Sequence, residues 1–209
     1  MVSICPTVTA ENAHIYRTQI ERVVPFATRI HIDVSDGVLA PTKLLELDKI
    51  WWPGGVRADL HVMLQDPFAH VELYRALGPQ MVIVHAEAEG DFIAFAETMH
   101  RHGIETGVAL LQSTTVDTIL PAIDLIDHVL IFSGKLGYFG GTADLGLLEK
   151  VSQLRSVKPS LEIGWDGGIN DTNARALADG GVDVLNVGGY IQRAAQPELA
   201  YQKLVSVLA

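Results

Sequence analysis

A closed (β/α)8 TIM barrel of the α/β class, one domain over residues 1–209, is the fold this sequence predicts, on three observations. Short apolar, β-branched runs alternate with longer stretches of helical period, and the alternation occurs eight times. Successive runs begin about 20 to 30 residues apart, the length of a strand plus a helical return. The runs are almost continuously apolar, as strands are when helices cover both faces of a parallel sheet. The length sits near the lower bound of about 200 residues for an eight-unit barrel, so loops must be short. An open doubly wound sheet is the alternative arrangement of the same units.

The elements follow in order along the chain. Residues 2–8 read as the first strand and 11–24 as an amphipathic helix; 29–34 are the second strand, followed by a shorter helical piece at 44–50. Trp51-Trp52-Pro53-Gly54-Gly55 is a compact turn rather than a domain boundary. Strands at 57–63 and 81–85 flank a helix at 67–77. A helix at 91–102 ends before Gly103, which can take positive φ without steric cost. Residues 106–111 and 128–132 are strands joined by a short helical piece at 116–122. The helix at 145–156 leads to the strand at 161–165. Asn170 or Asp171 is positioned to cap a helix over 171–180 that stops at Gly180-Gly181. The last strand is 182–187, and Pro197 suits the first turn of a final helix over 197–208.

Composition narrows the function classes. Fifteen Lys and Arg against 25 Asp and Glu leave a net charge of −10, a field that repels nucleic acid and anionic membrane surfaces. An anionic substrate must therefore be held locally. The single cysteine, Cys5, excludes an internal disulfide, and no N-terminal stretch has the order of a signal peptide, so a cytoplasmic protein is expected. The apolar runs are strand-sized, far short of the roughly 20 residues of a membrane helix.

In a closed barrel the chemistry gathers at the C-terminal ends of the strands. The second strand ends His31-Ile32-Asp33-Val34-Ser35-Asp36-Gly37, the third Asp59-Leu60-His61-Val62-Met63, and the seventh Gly164-Trp165-Asp166-Gly167-Gly168. Alternation puts His31 and Asp33 on one face. If that face points inward, His31, Asp33, His61 and Asp166 meet at the barrel mouth. A buried Asp is costly unless paired, hydrogen-bonded or bound to metal. Two imidazoles and two carboxylates suit one divalent ion, Zn, Fe(II), Mn or Co, and the set does not choose among them. His85 and Glu87 are either a supporting pair behind these donors or a polar strand end bonded to its own loops.

Glycines form a second constellation. Gly137, Gly140 and Gly141 follow the sixth strand, Gly167 and Gly168 the seventh, Gly188 and Gly189 the eighth. Close backbone approach and free N–H groups suit a phosphate, and barrels often hold one on the loops after strands seven and eight.

These pieces, in this order, resemble the ribulose-phosphate 3-epimerase family over nearly the entire chain. Pro6-Thr7-Val8, the His31–Gly37 segment with Pro41, Leu60–Met63 with Pro67, Val84-His85-Ala86-Glu87, the loop after the sixth strand, Asp166-Gly167-Gly168 and Gly188-Gly189 carry the likeness. The resemblance implies a (β/α)8 barrel of the ribulose-phosphate-binding type. It also implies a metal on His31, Asp33, His61 and Asp166, with Asp33 and Asp166 as the catalytic acid and base. It further implies carbon 3 epimerisation of a phosphorylated ketose, D-ribulose 5-phosphate to D-xylulose 5-phosphate in the pentose phosphate pathway, and a homo-oligomer. Trp51 and Trp52 are candidates for an exposed contact or for packing of the short second helix. Substrate-contacting positions are Thr7, Met63, Phe132, Gly140, Gly141, Gly167, Gly168, Gly188 and Gly189. Departures fall around the substrate: Thr7 for Ser, Ser35 and Phe132 for Met, Leu111-Gln112 for Asn-Pro, a longer loop at 135–142, Gly189 for Ser, and Tyr190 for a small residue. The competing readings are an epimerase of another ketose phosphate such as D-allulose 6-phosphate, and a sugar-phosphate-binding barrel without activity. A synthase, decarboxylase or aldol-type lyase lacks the lysine it needs at the inner ends of the second and third strands.

Overall fold

The computed structural model describes residues 2–134, 136 and 141–209. Eight parallel strands close in sequence order: β1 (Ser3–Val8), β2 (Arg29–Ser35), β3 (Arg57–Met63), β4 (Met81–His85), β5 (Glu105–Leu110), β6 (His128–Phe132), β7 (Glu162–Asp166) and β8 (Val184–Val187). The open-sheet alternative is therefore excluded. Among the described residues seven α-helices lie outside: α1 (Ala13–Val23), α2 (Val71–Leu77), α3 (Phe92–Arg101), α4 (Leu148–Val157), α5 (Ala174–Asp179), α6 (Gly189–Gln192) and α7 (Pro197–Leu208). The main core, including Ile32, Leu60, Val82, Trp165 and Leu177, lies between strands and helices.

The local chemistry explains most boundaries. The Asn12 side chain caps α1 by accepting from His14 N and Ile15 N, and that of Asp91 caps α3 by accepting from Ala94 N. Gly103 takes φ +71° past the end of α3.

Several expectations need correction. The piece at 44–50 reduces to one 3-10 turn, Leu47–Lys49, and 116–122 is part of a longer 3-10 segment, Val116–Leu125, containing Pro121, whose missing N–H disfavours a regular α-helix. Residues 67–77 and 145–156 each begin as 3-10 turns before α2 and α4. Neither Asn170 nor Asp171 caps α5: Asn170 Oδ1 accepts from Thr172 N, Asn173 Oδ1 accepts from Asn170 N, and the helix starts only at Ala174. The one-turn helix α6 is too short for a periodicity argument to find.

Register places the polar residues. Thr7 pairs with His31, Asp33 with His61, and Asp166 with Asn186, and paired residues of a parallel ladder share a face. That face is the barrel interior. Arg29, Asp59, His128 and Glu162 lie at its N-terminal end, and Met81, Ile83, Ala109 and Leu130 form a separate apolar plug. The residues of the mouth stand above that plug.

Candidate active site

Four donors converge at the C-terminal mouth. One donor atom each of His31, Asp33, His61 and Asp166 lies within 4.8 Å of the others, and both imidazoles are fully buried. His61 Nδ1 is 2.9 Å from Asp33 Oδ1, while His31 Nε2 is 3.3 Å from that oxygen and 3.8 Å from Asp166 Oδ2. Neither ring nitrogen of His31 has a hydrogen-bond partner. Thr9 Oγ1 donates to Asp33 Oδ2 at 2.5 Å. Asp33 is held by its neighbours while His31 presents unused nitrogen lone-pair or N–H capacity to it. A buried His31 Nε2 without a partner, beside two carboxyls and a second imidazole, suits a divalent cation by donor type and number.

Electrostatics separates the two carboxyls. Burial, then the charge of Asp33, pushes Asp166 up to about 7. Burial also acts upward on Asp33, but the adjoining His31 and His61 rings outweigh it and hold Asp33 well below the usual carboxylate range. Burial takes His61 down to about 4 despite Asp33, so that ring is neutral near neutrality. His31 moves up, because Asp33 and Asp166 outweigh its burial. Asp166 therefore keeps its proton to a higher pH than Asp33 does.

A cavity of about 300 Å³ opens above these groups. Asp33 and Asp166 face it, with Thr7, Met63 and Phe132 along its walls and Gly141, Gly167, Gly168, Gly188 and Gly189 around one side. Of the residues singled out in the sequence, His31 and His61 lie buried outside this lining, and Gly140 lies outside the described residues. Gly167 and Gly168 have φ +109° and +71°, and a Cβ on Gly168 would collide with the backbone of Thr142 and Ala143. The β7 loop thus packs backbone to backbone against the loop after β6.

Thr9, Asn186 and Arg193 are among the lining residues that were not anticipated. Thr9 was hidden because it lies one residue past β1, and Asn186 because it sits inside an apolar strand; its side-chain amide is buried without any partner. Arg193 adds a positive charge to the glycine side of the same cavity, close to Gly189. Arg193 stands one turn past Gly189, as the C-cap residue of α6. Among the positions that depart from the resemblance, Phe132, Thr7, Gly189 and Tyr190 line the cavity, whereas Ser35, Leu111 and Gln112 do not. Trp51 remains 40% exposed and packs edge-on against Tyr16, whose hydroxyl donates to Trp51 O.

Comparison with known proteins addresses the family. The model of the Ribulose-phosphate 3 epimerase family matches residues 3–192. The chain belongs to the ribulose-phosphate 3-epimerase family. The ribulose-phosphate 3-epimerase of Helicobacter pylori (strain J99) is 32% identical over 186 residues, covering 85% of each chain. That of Mycobacterium leprae is 29% identical, covering 87% of this chain and 84% of the relative. Among solved structures, 3-hexulose-6-phosphate synthase from Salmonella typhimurium superposes with a TM-score of 0.72 at 16% identity, covering 99% and 98% of the two chains. Mycobacterium tuberculosis tryptophan synthase matches with a TM-score of 0.72 at 12% identity, covering 99% and 92%. At these identities the two structures share the barrel fold with this chain, and nothing about its chemistry follows from them. No helix among the described residues is long and apolar enough to cross a membrane.

Proposed function

We propose that this member of the family epimerises a phosphorylated ketose at carbon 3, interconverting D-ribulose 5-phosphate and D-xylulose 5-phosphate. The observation that carries the reading is the pair of buried carboxyls, Asp33 and Asp166, close together at one cavity and shifted in opposite directions from the ordinary carboxylate range. Inversion at a carbon next to a ketone needs a base on one face and an acid on the other. Such a pair supplies both at one pH.

Asp33 takes the carbon 3 proton as the C–H bond breaks, and its electron pair becomes the carbon 2–carbon 3 double bond as the ketone oxygen becomes an enediolate oxyanion. Asp166 delivers its proton to the opposite face of carbon 3, which restores the ketone with inverted configuration. The return reaction exchanges the two roles. Thr9 keeps Asp33 Oδ2 occupied, which orients the remaining oxygen. Met63 and Phe132 cover the planar intermediate and keep water from it. Backbone N–H groups around Gly168 and Gly189, with Arg193, receive the phosphate.

His31, Asp33, His61 and Asp166 would hold a divalent ion, Zn, Fe(II), Mn or Co, which would supply positive charge where negative charge develops on the substrate. The test is turnover of D-ribulose 5-phosphate, alongside D-allulose 6-phosphate, with each of the four ions. Exchange of the carbon 3 hydrogen with deuterated solvent is followed in the same samples. Conversion of the five-carbon substrate with exchange at carbon 3 supports the reading; faster conversion of the six-carbon ketose, or no exchange, overturns it.

A further inference from the structure

Behind His61 runs a line of polar contacts that the acid–base pair does not use. His61 Nε2 is 2.8 Å from His85 Nε2, and His85 Nδ1 is 3.3 Å from Glu87 Oε2. The other Glu87 oxygen accepts from Thr114 Oγ1 and, at 3.4 Å, from Leu111 N. The loop that supplies these donors is tied down from α4: Lys150 Nζ donates to Leu111 O, Gln112 O and Thr114 O at 2.6, 2.9 and 2.7 Å. His61 and His85 are buried, so each ring nitrogen must find its partner inside this line.

With both imidazoles neutral, only one arrangement of their protons leaves Glu87 satisfied. A carboxylate only accepts, so His85 must carry its proton on Nδ1. A neutral imidazole has one N–H, which makes His85 Nε2 an acceptor and requires His61 to donate from Nε2. His61 Nδ1 is then a bare lone pair 2.9 Å from Asp33 Oδ1, two acceptors facing each other. Three contacts share two ring protons. The contact left without a proton is the one between His61 and Asp33, where a cation is the natural third partner.

We propose that Glu87 and His85 are positioning residues that fix the His61 tautomer, so that Nδ1 is the atom His61 offers to the metal. This inference rests on the metal site of the preceding section and adds what sets its donor. Partners behind a ligating imidazole commonly change metal affinity about 10- to 100-fold when removed.

Glu87→Gln is the sharp test because it is isosteric. Leu111 N–H holds the amide oxygen, which turns the NH2 group onto His85 Nδ1 and demands the reverse order of protons. Zn2+ affinity is measured by competition with a chelator, and ring nitrogen shifts of His61 and His85 are read in the Zn2+-saturated, 15N-histidine-labelled protein. The expected result is wild-type His61 protonated on Nε2 with Zn2+ on Nδ1, His85 protonated on Nδ1, and affinity about 10- to 100-fold weaker in Glu87→Gln. Thr114→Val, which removes one donor to Glu87 without touching either ring, should weaken Zn2+ about 2- to 10-fold, the worth of one hydrogen bond. Zn2+ held through His61 Nε2, or equal affinity in wild type and Glu87→Gln, overturns the inference while leaving the metal site standing. A wild type that takes up no Zn2+ overturns the metal site and this inference together. The wild-type spectrum decides the tautomer even if a variant does not fold.

Discussion

The two ends of the barrel interior carry similar residue types in opposite arrangements. At the N-terminal floor, Arg29 Nε meets Asp59 Oδ2 at 2.7 Å, and its two terminal nitrogens meet Glu162 at 2.9 and 2.8 Å. His128 Nδ1 adds a 2.8 Å contact to Glu162. A guanidinium in fork geometry neutralises the carboxylates there, leaving Asp59 Oδ1 and His128 Nε2 as the unused atoms. At the C-terminal mouth, among the described residues, only His31 and His61 lie within ion-pair distance of Asp33 or Asp166. A closed ion network belongs to stability; two carboxyls with imidazoles but no guanidinium or ammonium within ion-pair distance, among the described residues, suit ligand chemistry, and the barrel keeps the two ends apart with its apolar plug.

Substitutions should therefore split activity from stability by end. The largest effect is expected at the mouth: Asp33→Asn or Asp166→Asn should lower turnover and carbon 3 hydrogen exchange about 10²- to 10⁴-fold. The same Asp166→Asn protein should unfold at an equal or higher temperature, because it loses a like-charge neighbour. Full activity in either variant would sink the two-carboxyl scheme. At the floor the order reverses. Asp59→Ala leaves a buried guanidinium short of one partner and should cost about 3 kcal/mol in urea unfolding, with turnover per folded molecule unchanged. A matching loss of turnover per folded molecule would erase the distinction between the ends.

The pH dependence of stability should also differ in sign. Glu162 is held below the ordinary carboxylate range because the His128 and Arg29 contacts outweigh its burial. Its contribution is present above the unfolded pKa of about 4.3 and is lost as pH falls further. Asp166 is raised to about 7, so in chelator-treated protein its contribution declines as pH rises from about 4 through 7. Denaturation curves across pH should lose the acid limb in Glu162→Gln and the neutral-side decline in Asp166→Asn. The smallest effect is expected for exposed Arg193: Arg193→Met should raise KM for the phosphorylated ketose about two- to fivefold and leave kcat and Tm alone. A change in kcat instead would move Arg193 from the phosphate to the reacting carbons.

The fold was legible because period and spacing are local properties. Strands at 57–63, 81–85 and 128–132 coincide with β3, β4 and β6, and the chain closes as expected. The short connections were legible only as helical tendency: Pro121 and the brevity of Leu47–Lys49 leave 3-10 turns where amphipathic period alone suggests a helix. Residues with chemistry at strand ends announced themselves, as His31, Asp33, His61 and Asp166 did. Thr9, Asn186 and Arg193 did not, since a threonine after a strand or an arginine on a short helix has no distinctive local pattern.

By itself the sequence determined the eight βα units, the net charge of −10, and the placement of His31 and Asp33 on one face of their strand. Tertiary structure decided what His31, Asp33, His61 and Asp166 are to one another. Barrel closure set their spacing, burial and proximity split Asp33 from Asp166, and register stood His85 and Glu87 behind His61. The physical reason is that side-chain alternation is fixed within a strand, whereas desolvation and Coulomb interaction depend on distances across strands that exist only once the barrel has closed.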